Sequence, residues 1–174
     1  MTSRSSLEQE LLVRSLERAL FNIDVSLFVG KKVFFELHAL TGDQGFAKEF
    51  LTAWLEKNAV KVAKDQKEAD FRFKVFANIL GVDQYLTLLG IGASQVPVVG
   101  FPFPEIALYK HVRNRGRSEI QIYAFDPKTG DFLDEVPVGS GTAKYDSYTL
   151  LIFISFTVSD LNKKPEELKS KDKD

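Results

Sequence analysis

The chain contains no cysteine, which excludes disulfides, thiolate nucleophiles and cysteine-ligated metals together and leaves the redox compartment unreadable. It has only two histidines, His38 and His111. Neither has a histidine or carboxylate at a metal-ligand spacing, and both are expected on strands at a sheet surface or edge. An excess of either charge is missing as well. With 23 basic side chains against 24 acidic ones, no general attraction to nucleic acid or to an anionic membrane is expected. No stretch reads as a transmembrane helix, because the longest uncharged run is broken by Gly90, Gly92, Pro97, Gly100, Pro102 and Pro104. The opening MTSRSSLEQELL lacks the apolar core of a signal peptide.

Catalytic signatures are also missing. No serine lies in a nucleophile-elbow glycine pattern, and Gly90-Ile91-Gly92 is only half of a dinucleotide fingerprint. Asp65, Asp70, Asp83 and Glu105 read as caps and boundary charges rather than a paired acid and base. The chain is therefore expected to be non-enzymatic, without a cofactor or a bound metal.

What is present is ample material for a core. Hydrophobic residues make up 44% of 174, with 15 phenylalanines, which suits one packed domain. Leu7, Leu11, Leu12, Leu16, Ala19, Leu20 and Ile23 recur at helical spacing, and Ser5 with Glu8 has the spacing of a capping box. A strand is expected in KKVFFELHAL, with Val33, Phe35 and Leu37 on one face. A second helix follows from Phe46 to Lys57, with Phe46, Phe50, Leu51, Trp54 and Leu55 on its stripe. The short strand VKVA comes next, then a helical turn capped by Asp65 with Glu68, then an alternating strand carrying Phe71, Phe73, Val75, Ala77 and Ile79 on one face.

From Tyr85 to Pro104 the chain has no ionisable side chain except the Tyr85 phenol. So long an apolar, Gly/Pro-rich connection must be covered by something, since loops lie on the surface. Three covers are open: the protein's own sheet, with the segment as a lid; a second copy; or a membrane or lipid. The expected interaction surface is Leu86, Leu88, Leu89, Ile91, Val96, Val98, Val99, Phe101 and Phe103. Beyond it, PEIALYKH reads as a strand and RNRGR as a turn, giving Lys110, Arg113, Arg115 and Arg117 as a local basic cluster for lipid phosphates or an acidic partner. The alternative use of that cluster is a solubilising hairpin tip.

Hairpins follow, with Asp126-Pro127-Lys128-Thr129-Gly130 as a turn and Gly139-Ser140-Gly141 ending a strand. The nearly uninterrupted apolar run from Tyr148 to Val158 is expected as a central strand covered on both faces. These elements define a single α/β (α+β) domain over residues 1–160, with a mixed sheet, two long helices on one face and a C-terminal antiparallel meander. Residues 85–104 are its apolar insertion, and 161–174 are expected to be a charged, flexible tail.

Taken in order, EQELLVRSLERAL, GKKVFFEL, EADFRFKVFANILGVDQ, PEIALYK and IYAFDPKTG resemble an uncharacterised family of bacterial envelope lipoproteins, a domain of unknown function. The resemblance covers most of Ser5 to Val158 and implies export to the periplasm or outer membrane, with an anchoring cysteine ahead of the present first residue. It brings no catalytic residues. The helix–strand–helix–strand opening is similar, more distantly, to the periplasmic domains of the curli secretion lipoprotein and of the Tol-system translocation protein. In the first of these, insertions between strands form an oligomeric membrane pore. The function expected is a cell-envelope module acting by self-association or partner binding, as a homo-oligomer or with an envelope protein, possible lipid contact included and nucleic acid excluded. The alternative is a carrier or sensor of an apolar ligand such as a lipid.

Overall fold

The computed structural model describes residues 4–91, 94–95, 102–103 and 105–169. Helix α1 (Ser6–Phe21) starts where the sequence places it, because the capping box forms in both directions. The Glu8 amide donates to Ser5 Oγ at 3.3 Å, and the Ser5 amide donates to Glu8 Oε2 at 2.8 Å. Strand β1 (Lys32–Ala39) buries Val33, Phe35 and Leu37 as the alternation requires. Helix α2 (Gln44–Lys57) turns its buried stripe one position from the expected one: Ala47, Leu51 and Leu55 are buried, while Phe46 is exposed and meets Phe50 in a tilted ring contact. After β2 (Lys61–Val62), a 3₁₀ turn is capped by the Asp65 carboxylate accepting from the Lys67 amide, so the cap reaches two residues on rather than three.

Strand β3 (Phe71–Ile91) leads to β4 (Ser94–Gln95) and β5 (Pro102–Phe103), which pair with each other, and then to β6 (Ile106–Phe125), β7 (Phe132–Leu150) and β8 (Ile154–Ser159). The main sheet has the order β2-β1-β3-β6-β7-β8. The first three strands are parallel, and β3, β6, β7 and β8 form an antiparallel meander. Both long helices pack on one face, where Leu16, Leu20, Leu51, Leu55, Phe73 and Ile122 belong to one continuous core. This is the single-domain α/β fold with a mixed sheet that the sequence predicts.

The strands are much longer than the sequence suggests, two turn signals prove to have other causes, and one strand face shifts. RNRGR is no turn: Arg113 to Arg117 pair with β3 on one side and β7 on the other. Gly116 serves contact instead, since a Cβ there would overlap the Leu11 carbonyl of α1. Gly139 and Gly141 do not end a strand either. Cβ atoms there would strike the backbone of α1 at Ala19 and Ser15. The glycines form a flat track that lets the helix backbone approach the sheet, and Ser15 Oγ meets Ser118 Oγ at 2.7 Å beside it. The third revision concerns Ile79. A bulge between Ala77 and Ile79 resets the alternation, so Leu80 is buried instead.

The described residues after Asp160 are tied to α1. Leu161 is buried with Leu11 and Ala143, and a short helix α3 (Pro165–Lys169) follows. Arg18 on α1, only 5% exposed, donates to Asp160 Oδ1 at 3.0 Å and to the Thr142 carbonyl at 2.6 Å. Replacing Arg18 with methionine is expected to destabilise the fold by about 3 kcal/mol, because Asp160 is left without its partner in a poorly solvated site. Chemical denaturation of both proteins checks this.

Candidate functional site: the charge-poor end of the sheet

Helix α1 covers only part of the long strands. Near its start, Leu11 forms a small cluster with Ala143 and Leu161, against which Leu7, Val82 and Tyr145 pack. From Val82 to Ile91 the strand β3 runs on for nine residues, about 30 Å. The segment expected as a connection is thus a strand as far as Ile91, paired with β6 from Val112 to Ile106. A loop would have left its backbone groups without partners, whereas the ladder satisfies them. Nor do Tyr85 to Ile91 fold back as a lid over their own sheet. Tyr85, Leu86, Leu89 and Ile91 are each more than half exposed, and Leu88 is half-buried. Val96, Val98, Val99 and Phe101 lie outside the described residues, and Phe103 falls in β5.

The Tyr148–Val158 run, expected at the centre of the sheet, is overturned. It breaks into the end of β7, a turn at 151–153 and β8, which is the last strand of the sheet and exposed throughout. The turn is made by Leu151 and Ile152 with φ of 48° and 75°, values at which asparagine and glycine are ordinary and a β-branched residue is strained. Phe153 beside them is 79% exposed. The overlooked signal was alternation. Residues directly opposite each other share a face, so register groups Ser147, Thr149, Ser155 and Thr157 on one face of β7–β8 and Tyr148, Leu150, Ile154 and Phe156 on the other. Bulky apolar residues mask that period in a reading that weighs hydrophobicity before hydroxyls.

A row of charges crosses the four strands at one level. The last on β3 is Asp83, which lies opposite Arg115; Arg115 lies opposite Lys144 on β7; and the Lys144 amide donates to Asp160, just past β8, at 2.8 Å. Beyond Asp146 and Arg113 toward the tip, the described ions are Lys110 and Glu105, which pair with each other at 2.7 Å. Two hairpin ends, β3–β6 with this single described ion pair and β7–β8, therefore stand side by side. Their sheet also has two free edges among the described residues: β1 leaves β3 after Ala77, and β8 has only β7 beside it.

Just below this end lies a polar cluster. Arg115 donates both terminal nitrogens to Asp146 at 2.7 and 2.8 Å. His111, expected on a surface, is only 8% exposed, with Nε2 3.4 Å from Asp146 Oδ1. Its ring stacks on Tyr148 at 4.3 Å, and Tyr148 stacks on Phe156 at 4.9 Å, so three strands are joined by rings. The Arg115 hydrogen bonds hold the Asp146 carboxyl below its usual range against the opposing effect of burial, with His111 adding to the lowering. A depressed folded pKa contributes stability above the ordinary carboxylate value of about 3.9, lost as pH falls through the lowered value. Asp146→Asn is expected to cost stability at neutral pH, and the difference from the parent should vanish in strong acid. Denaturant midpoints measured across that range check it.

Of the four basic residues singled out by sequence, Lys110 and Arg115 are paired, and Arg113 and Arg117 are exposed. No group of three His, Asp or Glu among the described residues is placed to hold a metal.

Fold and site together define a single-domain α/β protein whose antiparallel strands project past their helices as a charge-poor, two-edged sheet. No family model matches the chain, so the resemblance to envelope lipoproteins finds no support there, and no curated protein matches it. Among solved structures it is similar to a neuraminyllactose-binding hemagglutinin homolog from Helicobacter pylori, at 10% identity and a TM-score of 0.33, over 81% of this chain and 76% of that one. The likeness is distant and bears on neither chemistry nor partner.

Proposed function

We propose that the protein is a non-enzymatic cell-envelope module that self-associates through the projecting end of its sheet and places that end in a lipid bilayer. The observation that carries this reading is that past Arg113 and Asp146 the described charges are one mutually neutralising pair, Lys110 and Glu105, while both edges stay open. A tip with so little net charge favours an apolar medium, but an open sheet edge in hydrocarbon leaves backbone groups unpaired. Copies of the same chain remove that penalty. Because β3 runs toward the tip and β8 runs away from it, β8 of one copy beside β3 of the next is antiparallel. The contact is head to tail, and each copy adds four strands, so a ring of copies closes an antiparallel barrel with no edge.

The test is molar mass by light scattering, in buffer and in mild detergent, over a range of concentration. A stable multiple of 19.6 kDa in detergent supports the reading. A monomer under every condition sinks it.

A further inference from the structure

We propose that the sheet face just below the charge-poor end docks on the anionic headgroups of a lipid bilayer, with Arg113, Arg117 and Lys144 as the contacting side chains. This rests on the reading that the end enters a bilayer, and adds the chemistry of the lipid.

Register puts the three cations on one face. Arg113 lies opposite Tyr85 and Asp146, Arg115 opposite Asp83 and Lys144, and Arg117 opposite Thr142, while successive odd positions of β6 point the same way. Arg115 is neutralised by Asp146. Arg113, Arg117 and Lys144 are exposed, and none has an ion pair among the described residues. Asp83 is the other carboxylate at this level. Glu119 lies one step farther from the tip and accepts from Asn78 at 3.1 Å. Positive charge is therefore in surplus on this face, although the whole chain is balanced.

The position matters as much as the sign. Arg113 and Arg117 are four residues apart on one strand, about 13 Å, a spread suited to a layer of headgroups rather than one small anion. Tyr85 shares the Arg113 row, and the rows nearer the tip carry Tyr148, opposite the buried His111, and then Tyr109, rings with a polar end of the kind that settles at the membrane–water boundary. Arginine and lysine beneath them can lay their stems along the strand and present charge to phosphate, arginine with a two-pronged donor.

The experiment is co-sedimentation of the intact chain with two vesicle types, one of phosphatidylcholine alone and one with a quarter phosphatidylglycerol. It is repeated with the triple variant Arg113→Gln, Arg117→Gln, Lys144→Gln, checked for its fold by circular dichroism. The parent should bind anionic vesicles more tightly by up to about 100-fold, roughly fivefold per cation, with the excess lost in high salt. The variant should keep its binding to neutral vesicles and lose the preference. Equal binding to both vesicle types by the parent, or an undiminished preference in the folded variant, overturns the headgroup contact and leaves the bilayer reading standing. Binding to neither overturns both. If the triple variant misfolds, Arg117→Gln alone, at an exposed side chain, should reduce the preference about fivefold, and no reduction counts against the proposal.

Discussion

Replacing Gly141 with valine is expected to destabilise the protein by about 4 kcal/mol. The reason is backbone against backbone. A Cβ at this position would overlap the Ser15 carbonyl oxygen and press on the Ala19 amide nitrogen, both within α1. Neither atom can rotate away as a side-chain tip would, so α1 must lift off β7 or the strand must bend. Lifting the helix opens the core formed by Leu16, Ala19 and Leu20 against Ile120 and Ile122, and the lost packing adds to the steric cost. Gly45→Ala provides the comparison, because its Cβ meets nothing within 4 Å. In the first turn of α2 it should be neutral or stabilising by a few tenths of a kcal/mol. Urea denaturation of the two variants beside the parent measures both effects. An unaffected Gly141→Val protein would mean that the glycine track does not hold the helix.

The second large effect concerns assembly. Leu88, Leu89 and Ile91 changed together to serine should leave the fold intact and yield a 19.6 kDa monomer in detergent, where the parent is expected to be a multiple. Leu89 and Ile91 are 64% and 53% exposed, so their replacement removes little of the monomer's own burial. In the assembled state the same side chains face hydrocarbon or a neighbouring strand, and three hydroxyls there cost several kcal/mol per copy. A head-to-tail contact makes a second demand. Ile154→Lys on β8, at the opposite edge, should abolish assembly as well, although the two sites never meet within one chain. Loss of assembly in the first variant but not the second would point to a contact between like edges. Unfolding of the serine variant would return the segment to a role in the monomer's own core.

Legibility differs sharply between the two ends of this molecule. Around α1, β1 and β3 the reading from sequence succeeds because each signal is local. Ser5 and Glu8 cap a helix through bonds three residues apart, and Val33, Phe35 and Leu37 alternate against a single core. The apolar character of Tyr85–Pro104 was also visible, as was the basic character of residues 110–117. Their placement was not. A glycine in Arg113–Arg117 looks like a turn until α1 is seen lying across it, and Gly139 and Gly141 look like a strand end for the same reason.

The sequence by itself determined the α/β class, the helix limits, the core faces of the first strands and the existence of a long stretch without charge. Those follow from spacing, capping and polarity, which act over a few residues. Only the tertiary structure decided that the stretch continues strand β3 as far as Ile91, that β8 forms the opposite edge of the same sheet, and that charges line up at one level across the four strands. The level emerges from register between residues as far apart in the chain as Asp83, Arg115, Lys144 and Asp160. Register is set by pairing across the sheet, and pairing across the sheet is fixed by the packing of the whole domain rather than by any local run of residues.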